Sequence, residues 1–464
     1  MKSQVTVPDA SRSSAAQQAQ TGRDEVGAKR SARATRTAVL GLAFQVVYAL
    51  SQMLMLGMLI RAEGAERFGL WMTVMALAAF LMPLSTLGQA SALLTRLSGV
   101  ALSDPRAATR VFSASCLLLG AGTATQLVLL AVSGPLLPWS QLLNASGPLT
   151  RDVAAGTALI GLVLATATFP ATHGGWAVLA HQRGDLAHLV NISSSVASLG
   201  AVALAVHQGA PLWAIGALTI SGPPAAGLWL WGHGIATGLV PVPRLALIDR
   251  ATLRAQFGAG LHFLVIDVTT LALLRTSELI VARMHGVEAV ATFAPVTRLI
   301  TLMLALFQAV MFPLWPAIAE AEASGDRQWI ERSARRSLAT VLGIWAAGAL
   351  GIILLGPLFI RLWTGHAELV DRPLLAAAAV QTLGQGLLTW LAVFLGALSL
   401  QRRLVLAIGA ASFAFLALAV VLGSRIGPLG IALAQAAALL LVAVPMAARA
   451  LWPRLRRDPA GLGA

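Results

Sequence analysis

Long apolar stretches separated by short polar segments run along almost the whole chain. They fall at residues 37–60, 68–94, 111–133, 153–180, 186–206 and 212–235, and again at 257–281, 291–318, 337–360, 374–400, 404–422 and 429–447. A helix needs roughly 20 apolar residues to cross the hydrocarbon core of a bilayer, and about twelve stretches reach that length. None shows the two-residue alternation of a barrel strand. Inside lipid every backbone N–H and C=O must be satisfied by the protein, so apolar runs of this kind have to be helices. The pattern predicts an all-α, polytopic membrane protein. Residues 1–36 are different: they are rich in Ser, Ala, Gln and Arg, carry Asp9, Asp24 and Glu25, and are expected to be disordered. The apolar run that follows is too long for a cleavable secretory signal, and the acidic residues count against a transit peptide.

Composition agrees, with 57% hydrophobic and 11% charged residues and a mean hydropathy of +0.77. The formal net charge of +14 adds a direction. With the amino terminus placed inside, about 24 basic residues fall in the inner segments and about 7 in the outer ones. The outer group is Arg61, Arg67, Arg151, Arg283, Arg361, Arg372 and Arg425. Both termini are therefore expected in the cytoplasm. Topology and attraction to an anionic leaflet account for the charge, and no nucleic acid partner is implied.

Several function classes drop out. Lysine occurs only at Lys2 and Lys29, neither after a glycine-rich loop, so no Walker-type nucleotide site exists and this chain alone is no ATP-driven pump. The histidines show no His-Glu-x-x-His pattern or metal-ligand spacing. No outer segment is long enough for a catalytic domain, and the lone Cys116 lies within the third span. The reading is of a non-enzyme without metal or cofactor.

The chain also repeats itself at a constant offset of 222 positions, as between residues 64 and 286. Gly64 and Glu66 fall on Gly286 and Glu288, and Asp104 and Arg110 fall on Asp326 and Arg332. Gly134-Pro135-Leu136 falls on Gly356-Pro357-Leu358, and Pro223 on Pro445. The offset covers six spans, an even number, so both halves insert the same way, with an axis along the membrane normal and a cavity between them. This divides the chain into a tail (1–36), a six-helix lobe (37–235), a linker (236–256), a second six-helix lobe (257–448) and a basic tail (449–464). Parallel six-helix halves around a cavity are a transporter's architecture.

Charges inside spans are costly and mark candidate function. The seventh span carries Asp267, Arg275 and Glu278. On a straight helix Asp267 and Glu278 differ by about 20°, with Arg275 within about 80° of either, so all three share a face. Arg298 in the eighth span lies at the depth of Asp267. The two are either an ion pair pinning adjacent helices or part of a cavity site for an anionic substrate or a proton. Arg275 is expected to face the cavity, because Glu278 compensates it only in part. At the same offset Asp267 maps onto Gln45 in the first span, which also holds Gln52. Gln45, Gln52 and Asn191 either line the first half or hydrogen-bond between helices. Prolines inside spans, Pro83 and Pro295 among them, fit helices that bend around a cavity.

Three stretches resemble a known family. They are Glu66-Arg67-Phe68-Gly69-Leu70-Trp71, then Thr86-Leu87-Gly88-Gln89-Ala90 through Thr95-Arg96, and Phe312-Pro313-Leu314-Trp315-Pro316-Ala317 followed by Glu320 and Gly325-Asp326 to Arg332. With twelve spans in two halves, they resemble the O-antigen and exopolysaccharide flippases. These form the polysaccharide-transport branch of the multidrug/oligosaccharidyl-lipid/polysaccharide exporter superfamily. The resemblance covers residues 37–448. It implies two lobes in a V, alternating access, and an undecaprenyl-pyrophosphate-linked oligosaccharide flipped across a bacterial inner membrane. A polysaccharide polymerase and chain-length machinery are the implied partners. On that reading Arg275 and Arg298 are candidates for the pyrophosphate, since a guanidinium fork matches phosphate oxygens. Gln45, Gln52 and Trp390 are candidates for the sugar. Ion coupling, implied by the superfamily, would fall to Asp267, with Glu278 beside it. A drug or cation antiporter of the same superfamily is the competing expectation. Such antiporters often carry a deep carboxylate in the first span, where this chain has Gln45 and Gln52.

Overall fold

The structure, a computed structural model, describes residues 10–100, 104–143, 151–181, 183–311, 314–398 and 400–456. Phe312 and Pro313 of the third motif lie outside the described residues. Among the described residues all regular structure is helical. Nine helices among the described residues are long and apolar enough to cross a membrane by length and composition. Two of these are double. Val39–Thr86 turns at Gly64, and Gln401–Arg454 turns at Ile426 and Gly427. A further crossing is split into Leu212–Thr219 and Gly222–Ala236. The twelve expected crossings are thereby accounted for. The first helix begins at Ala10, so residues 10–36, expected to be disordered, continue the first span as helix. Ala, Arg and Gln are strong helix formers, and a helix already nucleated extends readily.

The repeat read from the sequence has a backbone counterpart. Gly64 (φ 81°, ψ 171°) and Gly286 (φ 88°, ψ 166°) adopt one conformation, in a region essentially reserved for glycine. Each makes the turn from the first to the second span of its half. Asp104 caps the third span by accepting from the N–H groups of Arg106 and Ala107, and Asp326 caps the ninth by accepting from that of Trp329. An N-cap carboxylate satisfies donors that a helix start leaves free. Residues paired by the offset thus do the same work in both halves.

The two lobes meet differently at the two membrane faces. At the face opposite the basic segments the junction is apolar. Phe68, Leu70 and Trp71 of the second span share one buried cluster with Val287, Val290, Ala291 and Ala294 of the eighth. Gly69 lies so close to the Val287 carbonyl that no Cβ would fit. The Trp363 indole N–H donates to the Met53 carbonyl at 2.5 Å, and the Arg61 guanidinium donates to that of Leu362. At the basic face, among the described residues, one helix bridges the lobes. The inner segment of the seventh span, Arg250–Leu274, packs on the second and third spans of the first lobe and on Gln401–Ala437 of its own. Its outer segment, Ser277–His285, packs mainly on the eighth span and Gln401–Ala437.

Candidate functional site

The seventh span breaks between those segments, at Arg275 and Thr276, with neither glycine nor proline there. Serine and threonine compete for backbone partners in a helix, and the Thr276 hydroxyl donates back to the Leu271 carbonyl at 3.3 Å. Other helices supply what the break removes. The Gln435 amide donates to the Leu273 carbonyl at 2.6 Å, and one turn earlier the Ser412 hydroxyl adds a second bond to that of Thr269 at 2.9 Å. Non-helical backbone at membrane depth is tolerated where protein groups re-satisfy it in this way.

The break frees Arg275 from the helix, with φ −126° and ψ −12°. Its side chain is exposed, yet its electrostatic neighbours are Arg298, Glu278 and Tyr48, carried by the eighth, seventh and first spans. Arg275 thus feels charges and dipoles from both halves of the chain, Tyr48 from the first and Arg298 from the second. Glu278 is buried, 8% exposed. It accepts from the Thr297 hydroxyl at 2.7 Å and from the Arg298 guanidinium at 3.4 Å. Arg298 Nε is buried without a protein partner. Two arginines against one carboxylate leave the cluster one positive charge in excess. Arg275 and Glu278 line a cavity of ≈ 40 Å³ together with Thr301, Gln381, Gln385 and Gln435. That volume holds roughly two or three waters. Gln385 Oε1, on its wall, is also buried without a protein partner.

Arg275, Arg298 and Glu278 are thus brought together, and Tyr48 of the first span, with Gln52 near it, is their electrostatic neighbour. Gln52 also donates its amide to the Thr219 carbonyl at 3.0 Å, where the sixth span is split. Its chemistry is that of an interhelical prop. Gln45 is exposed and forms no bond among the described residues. Trp390 lies elsewhere: its indole donates to Ser337 at 3.0 Å and its ring meets Phe394 at 5.2 Å, tying helices within the second lobe. Asp267 does not pair with Arg298, whose ion partner is Glu278. Asp267 is partly buried and has no ion partner among the described residues. The shared face of Asp267, Arg275 and Glu278 assumed one straight helix, and the break at Arg275 removes that premise. Tyr48, Thr297, Gln381, Gln385 and Gln435 were not foreseen. Gln381 and Gln385, four apart in an apolar span, were a legible signal, since an amide in lipid needs a partner.

No family model matches the sequence, and no curated protein matches it either. Solved structures do resemble the fold. An inward-facing multidrug resistance MATE family transporter of the MOP superfamily superposes with TM-score 0.68 at 16% identity, over 90% of this chain and 98% of that one. The MATE multidrug transporter DinF-BH gives TM-score 0.69 at 14% identity, over 90% and 94%. The lipid II flippase MurJ, in an inward closed conformation, gives TM-score 0.66 at 15% identity, over 91% and 87%. At such identities the likeness is one of fold. Fold and site define a two-lobed, multi-pass helical membrane protein with a cluster of charged residues at the break of its seventh span. Its architecture is shared by MATE transporters and by MurJ.

Proposed function

We propose that this chain is a flippase that moves an undecaprenyl-pyrophosphate-linked oligosaccharide across the bacterial inner membrane by alternating access. One observation carries the reading: Arg275 and Arg298 act on each other at the break of the seventh span, and among the described residues Glu278 is the carboxylate that balances them. A surplus guanidinium at membrane depth is costly unless an anion comes to it. Pyrophosphate supplies the anion, and the planar fork supplies the fit. The sorting of basic residues supports both termini being cytoplasmic, with the linker at 236–256 on the same side. The sugar end would serve O-antigen or exopolysaccharide assembly, with a polymerase and chain-length machinery receiving it. The described cavity of ≈ 40 Å³, lined by second-lobe residues, is far too small for such a headgroup, so the site must widen to admit it.

The test is translocation of a labelled undecaprenyl-pyrophosphate oligosaccharide in proteoliposomes. Arg275→Ala and Arg298→Ala are each expected to reduce the rate at least about tenfold, the loss expected of one charge-assisted hydrogen bond pair. Equal rates in wild type and both variants would overturn the anion site.

A second reading, a cation- or proton-coupled multidrug antiporter, is favoured by one feature: Asp267 is partly buried without an ion partner among the described residues. Efflux of a lipophilic cation that Asp267→Asn abolishes, in vesicles that move no lipid-linked sugar, would decide for it.

A further inference from the structure

The junction at the basic face is built from buried polar groups. Gln256, near the start of the seventh span, inserts its side chain into the first lobe and is fully buried, as are Gln89 and Ser115. Its amide donates to Gln89 Oε1 at 3.0 Å, and the Ser115 hydroxyl donates to that same oxygen at 3.1 Å. With its only proton committed, Ser115 Oγ accepts from His173 Nε2 at 3.0 Å. Arg96 closes the chain by donating to Gln256 Oε1 at 3.1 Å. Five side chains from four spans form one directed network, and Gln256 is the only one carried by the seventh span.

The backbone contact beside it is as close. Just before Gln89 the second span turns through Leu87 and Gly88, with φ 51° and 66°. Leu87 is the only residue other than glycine with positive φ among those described. The turn presses Leu87 and Gly88 against Gly260 of the seventh span. A Cβ at Gly260 would run into the Leu87 carbonyl and the Gln89 amide, and one at Gly88 into the Gly260 carbonyl. Little else of the inner segment is buried. Among Arg250–Leu274 only Gln256, Gly260 and Leu273 are buried, and two of those three are in this contact. The segment is the least buried of the nine candidate spans, at 11% of its apolar window. Its far end is the break at Arg275.

We infer that the inner segment of the seventh span is a gate helix, latched to the first lobe by Gln256 on Gln89 and by the Gly260–Gly88 contact, and hinged at Arg275. Opening the basic face and re-aiming the cavity arginine are then one motion. The latch is the junction that parts first, because buried polar groups and one glycine contact form its centre while a continuous apolar core holds the other face. This rests on Arg275 facing the cavity, and not on which substrate is carried.

The test uses full-length protein with Cys116→Ala, which removes the only native thiol, and a reporter Leu304→Cys on the cavity wall. Inside-out vesicles are treated with a membrane-impermeant maleimide. Gln256→Leu and Gly260→Ala are each expected to speed labelling about fivefold or more, the population shift that goes with one lost buried hydrogen bond. Gly258→Ala, where a Cβ meets nothing within 4 Å, is the folding-neutral control and should label at the parent rate. Parent-like labelling in both latch variants would overturn the gate. Undecaprenyl pyrophosphate is then added to the parent. If the latch variants accelerate labelling and the lipid changes nothing, the gate stands and the lipid-linked substrate falls.

Discussion

Glu278 is the residue on which the charge balance of the cavity turns. Its carboxylate holds Arg298 at 3.4 Å and takes the Thr297 hydroxyl, so it competes with any incoming anion for the same guanidinium. Glu278→Gln keeps an oxygen for Thr297 and removes the competing charge. Two outcomes of opposite sign are expected. Inorganic pyrophosphate, followed by calorimetry on detergent-solubilised protein, should bind several-fold more tightly. The melting temperature of the unliganded protein should fall, because two neighbouring arginines are left without a counter-charge. A variant that binds pyrophosphate more weakly would mean that Glu278 organises the anion site and does not compete for it.

At the scale of elements, two broken spans share one solution. The sixth span is split after Thr219 and the seventh after Leu274, and in each case a glutamine from a neighbouring span bonds to a carbonyl at the break: Gln52 to Thr219 and Gln435 to Leu273. Gln435→Leu strands a buried carbonyl and is expected to cost about 1–3 kcal/mol in thermal unfolding, whereas Gln45→Leu, exposed and unbonded, should stay within about 0.5 kcal/mol. The start of the gate helix has its own cap. Asp249 accepts from the Thr252 backbone N–H at 2.6 Å and from its hydroxyl at 3.1 Å, and it faces Arg110 of the third span at 3.6 Å. The Thr252 bonds first, and Arg110 after them, hold this carboxyl below the usual aspartate range. A lowered folded value means that the stabilisation is present above the ordinary aspartate range and is lost as pH falls through the lowered one. Wild type and Asp249→Asn should therefore differ in melting temperature at neutral pH and converge in acid. The positions of the spans could be read from hydropathy because length and apolarity fix them. The break at Arg275 could not, since Leu274-Arg275-Thr276-Ser277 holds no helix-breaking residue and the partner that stabilises the break, Gln435, is far off in sequence.

For the whole molecule, the repeat was legible because it rests on residues with no substitute. Only glycine holds the backbone found at Gly64 and Gly286, and an N-cap such as Asp104 or Asp326 has few alternatives. The departure from symmetry was not legible. The first span is an unbroken helix at Met53 and Leu54, the positions matching Arg275 and Thr276, so only the second half has a hinged leading span. A symmetric ancestor plan thus yields two lobes with unequal tasks, one offering a landing surface and the other reaching across to it.

The reach of the seventh span also means that the boundary along the chain and the boundary in space do not coincide. A cut within residues 237–249 falls before a helix whose resting place is on the other fragment. Severed there and produced together, the two pieces should find each other without a covalent link, and a tag on one should recover the other from detergent extracts. Gly260→Ala in the downstream piece should weaken that recovery. Produced alone, the downstream piece would display a helix bearing Gln256 and nothing to receive it, an invitation to dock on a neighbouring copy.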